Sequence, residues 1–141
     1  MNTEWETPDY IFEPLQKEFD LDLDVCASHE NAKLPNYFTK EDDGLVQHWG
    51  SHRVWCNPPY GRGLIEPWVR KAYRRPVYTL TVILLPAWTD RRWFHRYVWD
   101  GECPQSGIRV RLLEGRPRFL ENGVPSKNTG TFGSMVVIFG A

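Results

Sequence analysis

Apolar and polar positions along the chain fall into stretches of two different periods. In "TPDYIFEPLQKEF" the apolar residues Tyr10-Ile11, Leu15 and Phe19 follow a helical spacing, and Pro8 stands near a first-turn position after Thr7. "LDLDVCA" alternates and then runs apolar, which predicts a buried strand ending at Asp24 to Ala27. "NAKLPNYFTKEDDGL" is polar and broken by Pro35 and Gly44, so it predicts a loop with room for a short strand at Tyr37-Phe38. "RVWCN" predicts a second buried strand, "GLIEPWVRKAYRR" a helix with Pro67 near its start, and "RRWFHRYVW" a further helix. "VYTLTVILLPA" is apolar throughout, as a strand covered on both faces should be. The tail "IRVRLLEGRPRFLENGVPSKNTGTFGSMVVIFG" predicts strands joined by Gly- and Asn-rich turns. Strands that alternate with helices and finish in a β-rich end predict an α/β sheet, mostly parallel, with an antiparallel C-terminal portion.

A length of 141 residues fits one compact domain, residues 1–141, around one core. Hydrophobic residues at 41% and charged residues at 25% place the chain among ordinary globular proteins. No apolar run approaches the roughly 18 residues of a membrane span, and "MNTEWETPDY" lacks signal-peptide character, so the cytoplasm is the expected location. Cys26, Cys56 and Cys103 are odd in number and far apart, which predicts buried thiols rather than disulfides or a zinc site.

Charge is divided unevenly. Residues 1–50 hold 3 basic and 12 acidic side chains, whereas residues 51–141 hold 14 basic, mostly arginine, and 6 acidic. Arginine forks match phosphates and guanine edges, so the basic part carries the footprint of a nucleic-acid binder. The plainer alternative is that the two parts neutralise one another across the fold.

The most unusual stretch is "VWCNPPYG", residues 54–61. A short strand stops at an asparagine and two prolines, which cannot donate to a ladder and which fix the backbone. Ligands of α/β sheets bind beyond the carboxyl ends of the strands, and Asp24 and Asn57 both fall at such ends. The Asn57 amide oxygen and the Pro58 carbonyl, a residue apart, can accept both N–H bonds of an exocyclic amine. The aromatic face of Tyr60 can stack on the ring that carries that amine. Pro-Pro rigidity would then be preorganisation for attack by the amine lone pair.

"NPPY" after a short apolar strand resembles the catalytic motif of amino-group methyltransferases that use S-adenosylmethionine. "WETPDYIFEPLQKEF", "LDLDVCASHENAK", "YFTKEDDGL", "VWCNPPYG", "LLPAWTDRRWFH" and "GRPRF" followed by "FGSMVVIF" together resemble the phage-type DNA N6-adenine methyltransferases, the phage Dam-like family. They come in order and cover nearly the whole chain. The resemblance implies a Rossmann-like methyltransferase sheet and methyl transfer from S-adenosylmethionine to N6 of an adenine flipped out of double-stranded DNA. It implies a catalytic loop of Asn57, Pro58, Pro59 and Tyr60. Asp24, Val25, Cys26 and Ala27 would lie against the methionine part of the cofactor. Trp5, Thr7 and Pro8 would be a second cofactor-binding element, and Asp43, rather than Asp42, would approach the cofactor's adenine. Phe119 in "GRPRF" would form the second wall around the flipped base, with Phe132 as the alternative if Phe119 lies in the core. Phage or prophage origin and action in a bacterial cytoplasm follow from the same likeness.

The sequence also departs from the broad methyltransferase pattern. No glycine-rich loop follows the first strand; His29, Glu30 and Asn31 stand there instead. The stretch from Asp24 to Asn57 is short for two strands with crossover helices. No separate target-recognition domain is expected, so readout falls to loops within 61–131, chiefly Arg91 and Arg92 or Arg116 and Arg118. His29, His48, His52 and His95 show no ligand spacing and read as surface or packing residues, so no metal site is expected. The tryptophans read as packing residues, with Trp88 as a second candidate to face substrate. Other targets consistent with "NPPY" are cytosine N4, RNA and a protein glutamine amide. A non-catalytic DNA-binding decoy derived from such an enzyme is a different class again.

Overall fold

The computed structural model describes residues 5–121, 123–125 and 132–140; the tail at 126–131, expected to be turn, lies outside them. The chain orders as α1 (Asp9–Phe19), β1 (Leu23–Asp24), β2 (Arg53–Cys56), α2 (Glu66–Tyr73), β3 (Leu80–Pro86) and α3 (Arg92–Tyr97). Then come β4 (Trp99–Asp100), β5 (Cys103–Pro104), β6 (Ile108–Leu112), β7 (Leu120–Glu121), β8 (Val124–Pro125) and β9 (Ser134–Phe139). Among the described residues no helix is long and apolar enough to cross a membrane.

One five-stranded sheet, in the order β1-β2-β3-β9-β6, organises the molecule. β1, β2 and β3 pair in parallel, and β9 runs antiparallel between β3 and β6. Four strands therefore point one way and β9 the other, which is the mixed sheet the alternating pattern predicts. All seven residues of β3 are buried, because this central strand has neighbours on both edges and cover on both faces.

α1 opens after Pro8, whose extended backbone (ψ 151°) serves as the cap position, and Asp9 sits favourably in its first turn. Its buried face is Ile11, Phe12, Leu15 and Phe19, while Tyr10 points to solvent. Phe12 meets Trp55 of β2 edge to face at 5.0 Å, and the guanidinium groups of Arg109 and Arg111 on β6 lie over Phe19. α1 thus spans the sheet from β2 to β6. The helix ends at Asp20 in a left-handed conformation, with the Gln16 amide both donating to the Leu21 carbonyl and accepting its N–H.

Several expected elements are shorter than their patterns: β3 begins only at Leu80, after exposed Val77 and Tyr78, and α2 begins at Glu66. The first strand ends at Asp24, the near limit of the range expected, and the Asp24 carboxylate accepts the Cys26 N–H as the chain leaves it. Val25 still donates to the Trp55 carbonyl, after which Ala27 donates to Phe38. Tyr37-Phe38 does lie beside β1, as a single parallel bridge to Asp24 rather than a strand. The helix expected over "RRWFHRYVW" stops at Tyr97, since Trp99-Asp100 leaves to form a hairpin with Cys103-Pro104.

Parallel pairing places the carboxyl ends of β1, β2 and β3 on one rim. The start of β9 joins them there: Ala87 donates to the Gly133 carbonyl at 2.8 Å. Asp24, Asn57, Trp88 and Phe132 are all brought to this rim.

Candidate active site

A cavity of about 590 Å³ opens beyond the ends of β1 and β2, within the size range of cofactor pockets. Trp5, Thr7, Asp24, Val25, Cys26, Ala27 and Asp43 line it, together with Asn57 and Pro59. Pro8, Pro58 and Tyr60, singled out with them, do not line it. Asp42 is also absent from the lining, because its carboxylate is taken by the Thr39 N–H (2.9 Å) and hydroxyl (3.1 Å); those bonds hold its carboxyl below the usual range. The following Asp43 takes positive φ (57°), accepts the Leu45 N–H and faces the cavity.

Asn57 is held by the N-terminal segment. Its Nδ2 donates to the Trp5 carbonyl and to Thr7 Oγ1, the latter at 2.9 Å. A main-chain carbonyl can only accept, so the amide nitrogen must face Trp5 and the oxygen must face away. That oxygen, Oδ1, is buried and has no hydrogen-bond partner among the described residues. A buried acceptor left unpaired costs about 1–3 kcal/mol, which marks it for a donor from outside the chain.

Asp24 is the most burdened acid of the site. It is only 2% exposed, and its carboxylate accepts the backbone N–H groups of Cys26 (3.3 Å) and Lys33 (3.0 Å). Burial raises its carboxyl to about 6, and those two N–H bonds and the Lys33 charge oppose the rise. In place of a glycine-rich loop, Ser28 and Asn31 cap each other: Asn31 Oδ1 accepts the Ser28 N–H and Ser28 Oγ accepts the Asn31 N–H.

The aromatic residues form a ladder along the rim. Tyr60 is buried, donates its hydroxyl to the Leu84 carbonyl at 2.8 Å, and meets Phe119 and Phe132 edge to face at 5.9 and 5.7 Å. Burial pushes its phenol well up, which keeps that donor protonated. Phe119 lies in the core, 4% exposed, whereas Phe132 is half-buried and touches Trp88 at 5.5 Å. Arg91 stacks over Trp88 at 4.5 Å and ion-pairs with Asp90. The ladder therefore runs from an exposed guanidinium to the "NPPY" loop.

The remaining arginines divide. Arg111 grips Glu18 of α1 with both guanidinium nitrogens, at 2.7 and 2.6 Å, which is neutralisation across the two unlike parts of the chain. Arg92, Arg116 and Arg118 are exposed and make no ion pair among the described residues. Neutralisation across the fold therefore accounts for Arg111, and Arg92, Arg116 and Arg118 stand outside it.

Several lining residues are not singled out individually in the sequence. Lys33 and Glu6 face each other at 4.0 Å, and Trp68 comes from α2. Gly44 was legible only as a loop breaker, yet a Cβ there would sit 2.1 Å from the Val25 carbonyl oxygen. The loop can approach β1 only because this residue has no side chain.

The cavity lies at the carboxyl rim, with the "NPPY" loop at its edge and an amide acceptor that is unpaired among the described residues. The chain matches the DNA N-6-adenine-methyltransferase (Dam) family over residues 1–141, and it belongs to that family. It is 36% identical over 84 residues to the DNA N-6-adenine-methyltransferase of Haemophilus phage HP1, a match covering 57% of this chain and 47% of the phage protein. It is also 34% identical over 64 residues to the putative methyltransferase YfdM of Escherichia coli K12, covering 40% of this chain and 70% of that protein. The chain thus spans about half the length of the phage relative.

Proposed function

We propose that this chain transfers a methyl group from S-adenosylmethionine to N6 of adenine in DNA, in a bacterial cytoplasm and from a phage or prophage gene. The observation that carries the reading is Asn57: its nitrogen is anchored and its oxygen is a buried acceptor without a partner among the described residues. The adenine amino group supplies the missing donor. With one N–H on Asn57 Oδ1 and the other on the Pro58 carbonyl, the lone pair of that amine points out of the base plane. Pro58 and Pro59 hold both acceptors still, so the geometry is set before the base arrives.

The sheet is read as a Rossmann-like methyltransferase sheet, with its cavity at the parallel rim. Donors and acceptors there fit S-adenosylmethionine: acidic Asp24 and Glu30 suit its cationic methionine end, Asp43 suits the amino group of its adenine, and Lys33 suits its carboxylate. When bound, that cofactor supplies an electrophilic methyl carried on sulfonium. The chain's own task is to exclude water, with Trp5, Leu45 and Trp68 forming apolar walls.

Double-stranded DNA would lie along the exposed arginines, with the target base rotated out at a cost of a few kcal/mol. Tyr60 and Phe132 would stack on that base once their edge-to-face contact opens, with Phe119 as support behind Tyr60. Arg91, Arg92, Arg116 and Arg118 would contact phosphates or base edges.

Incubation with tritiated S-adenosylmethionine and DNA, RNA or cell protein tests the reading. Label recovered as N6-methyladenine in DNA is the expected result. Label in RNA, in cytosine, in glutamine or nowhere contradicts it.

A further inference from the structure

We infer that Thr7 is a positioning residue for the reaction, its hydroxyl anchoring the Asn57 amide in the orientation that the Trp5 carbonyl selects. The inference rests on the methyl-transfer reading above and adds to it a residue that the "NPPY" motif does not contain. Thr7 is 1% exposed, and its Oγ1 accepts the Asn57 Nδ2–H at 2.9 Å. The Trp5 carbonyl takes the amide nitrogen as well. The Trp5 carbonyl can only accept and so selects the nitrogen, while the Thr7 hydroxyl takes the second N–H and holds the amide still, with Oδ1 toward the amine. Rotated by half a turn, the amide would present two donors to an amine that also donates, and the substrate would lose its acceptor.

The segment that carries Thr7 is itself pinned. Glu6 exchanges backbone hydrogen bonds with Leu120, N–H to carbonyl at 3.1 Å and the reverse at 2.8 Å. The Glu6 carboxylate accepts the Gly123 N–H and pairs with Lys33 in the cavity wall. Residues 5–7 therefore form a crossbar between the β7 hairpin, the cavity and the catalytic asparagine. Thr7 lines the cavity but spends its oxygen on Asn57, so its contribution lies in the amide's orientation rather than in cofactor affinity.

Thr7→Val, Thr7→Ser and Thr7→Ala separate this role from packing and from cofactor binding. Single-turnover methyl transfer at saturating cofactor should fall about 3- to 10-fold in Thr7→Val, the worth of one hydrogen bond, and recover in Thr7→Ser. Binding of tritiated S-adenosylmethionine by equilibrium dialysis should stay unchanged in both. The Asn57 side-chain amide protons should exchange with solvent faster in the valine variant than in the serine variant. A packing role would give the reverse order, because serine leaves a methyl-sized void and valine does not. Serine slower than valine, wild-type rate in valine, or loss confined to cofactor binding would each overturn the inference. If the valine variant does not fold, serine against alanine, which differ by one hydroxyl, decides the same point. Asn57→Ala run in parallel keeps the two ideas apart: a slow Asn57→Ala beside an unaffected Thr7→Val removes Thr7's role alone. A fast Asn57→Ala removes the underlying reading.

Discussion

Two crossovers join neighbouring parallel strands in this molecule, and they are built from different materials. Residues 57–79 cross from β2 to β3 through α2, which buries Trp68, Val69 and Ala72 and satisfies its own backbone. Residues 25–52 cross from β1 to β2 without a helix. Their backbone is capped instead by Asp24, by the Ser28–Asn31 pair, by the Thr39–Asp42 pair and by Trp49, whose indole N–H meets the Gly44 carbonyl at 2.9 Å. A helix packed on the sheet would fill the space that the cavity occupies. Polar caps fix the shape of a loop that touches Val25 at Gly44, and the cavity lies between that loop, the strand ends and the start of α2.

The difference should appear as two kinds of mutant. The largest effect is expected at Gly44, where an added Cβ would meet Val25 backbone at 2.1 Å and the Trp68 ring at 3.2 Å. Gly44→Ala should cost about 3 kcal/mol and abolish cofactor binding, because backbone cannot yield as a flexible side chain can. Urea unfolding and dialysis check both parts.

Asp24 comes next, and its effect depends on pH. Burial raises its carboxyl to about 6, against about 3.9 for the unfolded chain. The folded protein therefore keeps, between about pH 4 and 6, a proton that the unfolded chain has released. Asp24's contribution should be greatest below about pH 4 and fall by up to about 3 kcal/mol as pH rises to 6, then level off. Unfolding free energies of wild type minus Asp24→Asn, measured from pH 4 to 8, should trace that fall. A difference that grows with pH would contradict the burial of this acid.

In the helical crossover, Val69 is fully buried, and Val69→Ala should cost about 2 kcal/mol of global stability. Cofactor affinity should hold, since Val69 does not line the cavity. Asn31→Ala should do the opposite on a smaller scale. Losing its cap on the Ser28 N–H costs about 1 kcal/mol, felt as weaker cofactor binding and faster amide exchange at Ser28 with little change in melting temperature. Equal loss of global stability in both variants would remove the distinction between the crossovers.

The sheet was legible because burial writes itself into sequence. "VYTLTVILLPA" holds the covered strand Leu80–Pro86, although Val77 and Tyr78 before it are exposed, and "VWCNPPYG" holds a strand cut short by proline. The cavity was legible only where residues matched a family motif, at Trp5, Thr7, Asp24 to Ala27, Asp43, Asn57 and Pro59. Lys33, Trp68 and the restraint on Gly44 were hidden, since each depends on contacts across the fold that no local period encodes. The phase of α1 was misjudged at one residue, with Phe12 inward and Tyr10 outward, because both neighbours of Ile11 are aromatic and a helical stripe can accept either. Tyr60 was expected to face a base, and in the described arrangement its ring is occupied by Phe119 and Phe132.

The central claim is that the Asn57 amide oxygen holds the amine that receives the methyl group. Single-turnover transfer of tritium from S-adenosylmethionine to adenine-containing duplex DNA, compared in wild type and Asn57→Ala, tests it most directly. The variant should lose about 2.7–4 kcal/mol in the chemical step while binding the cofactor as wild type does. A variant that binds cofactor and methylates DNA at the wild-type rate would contradict the account.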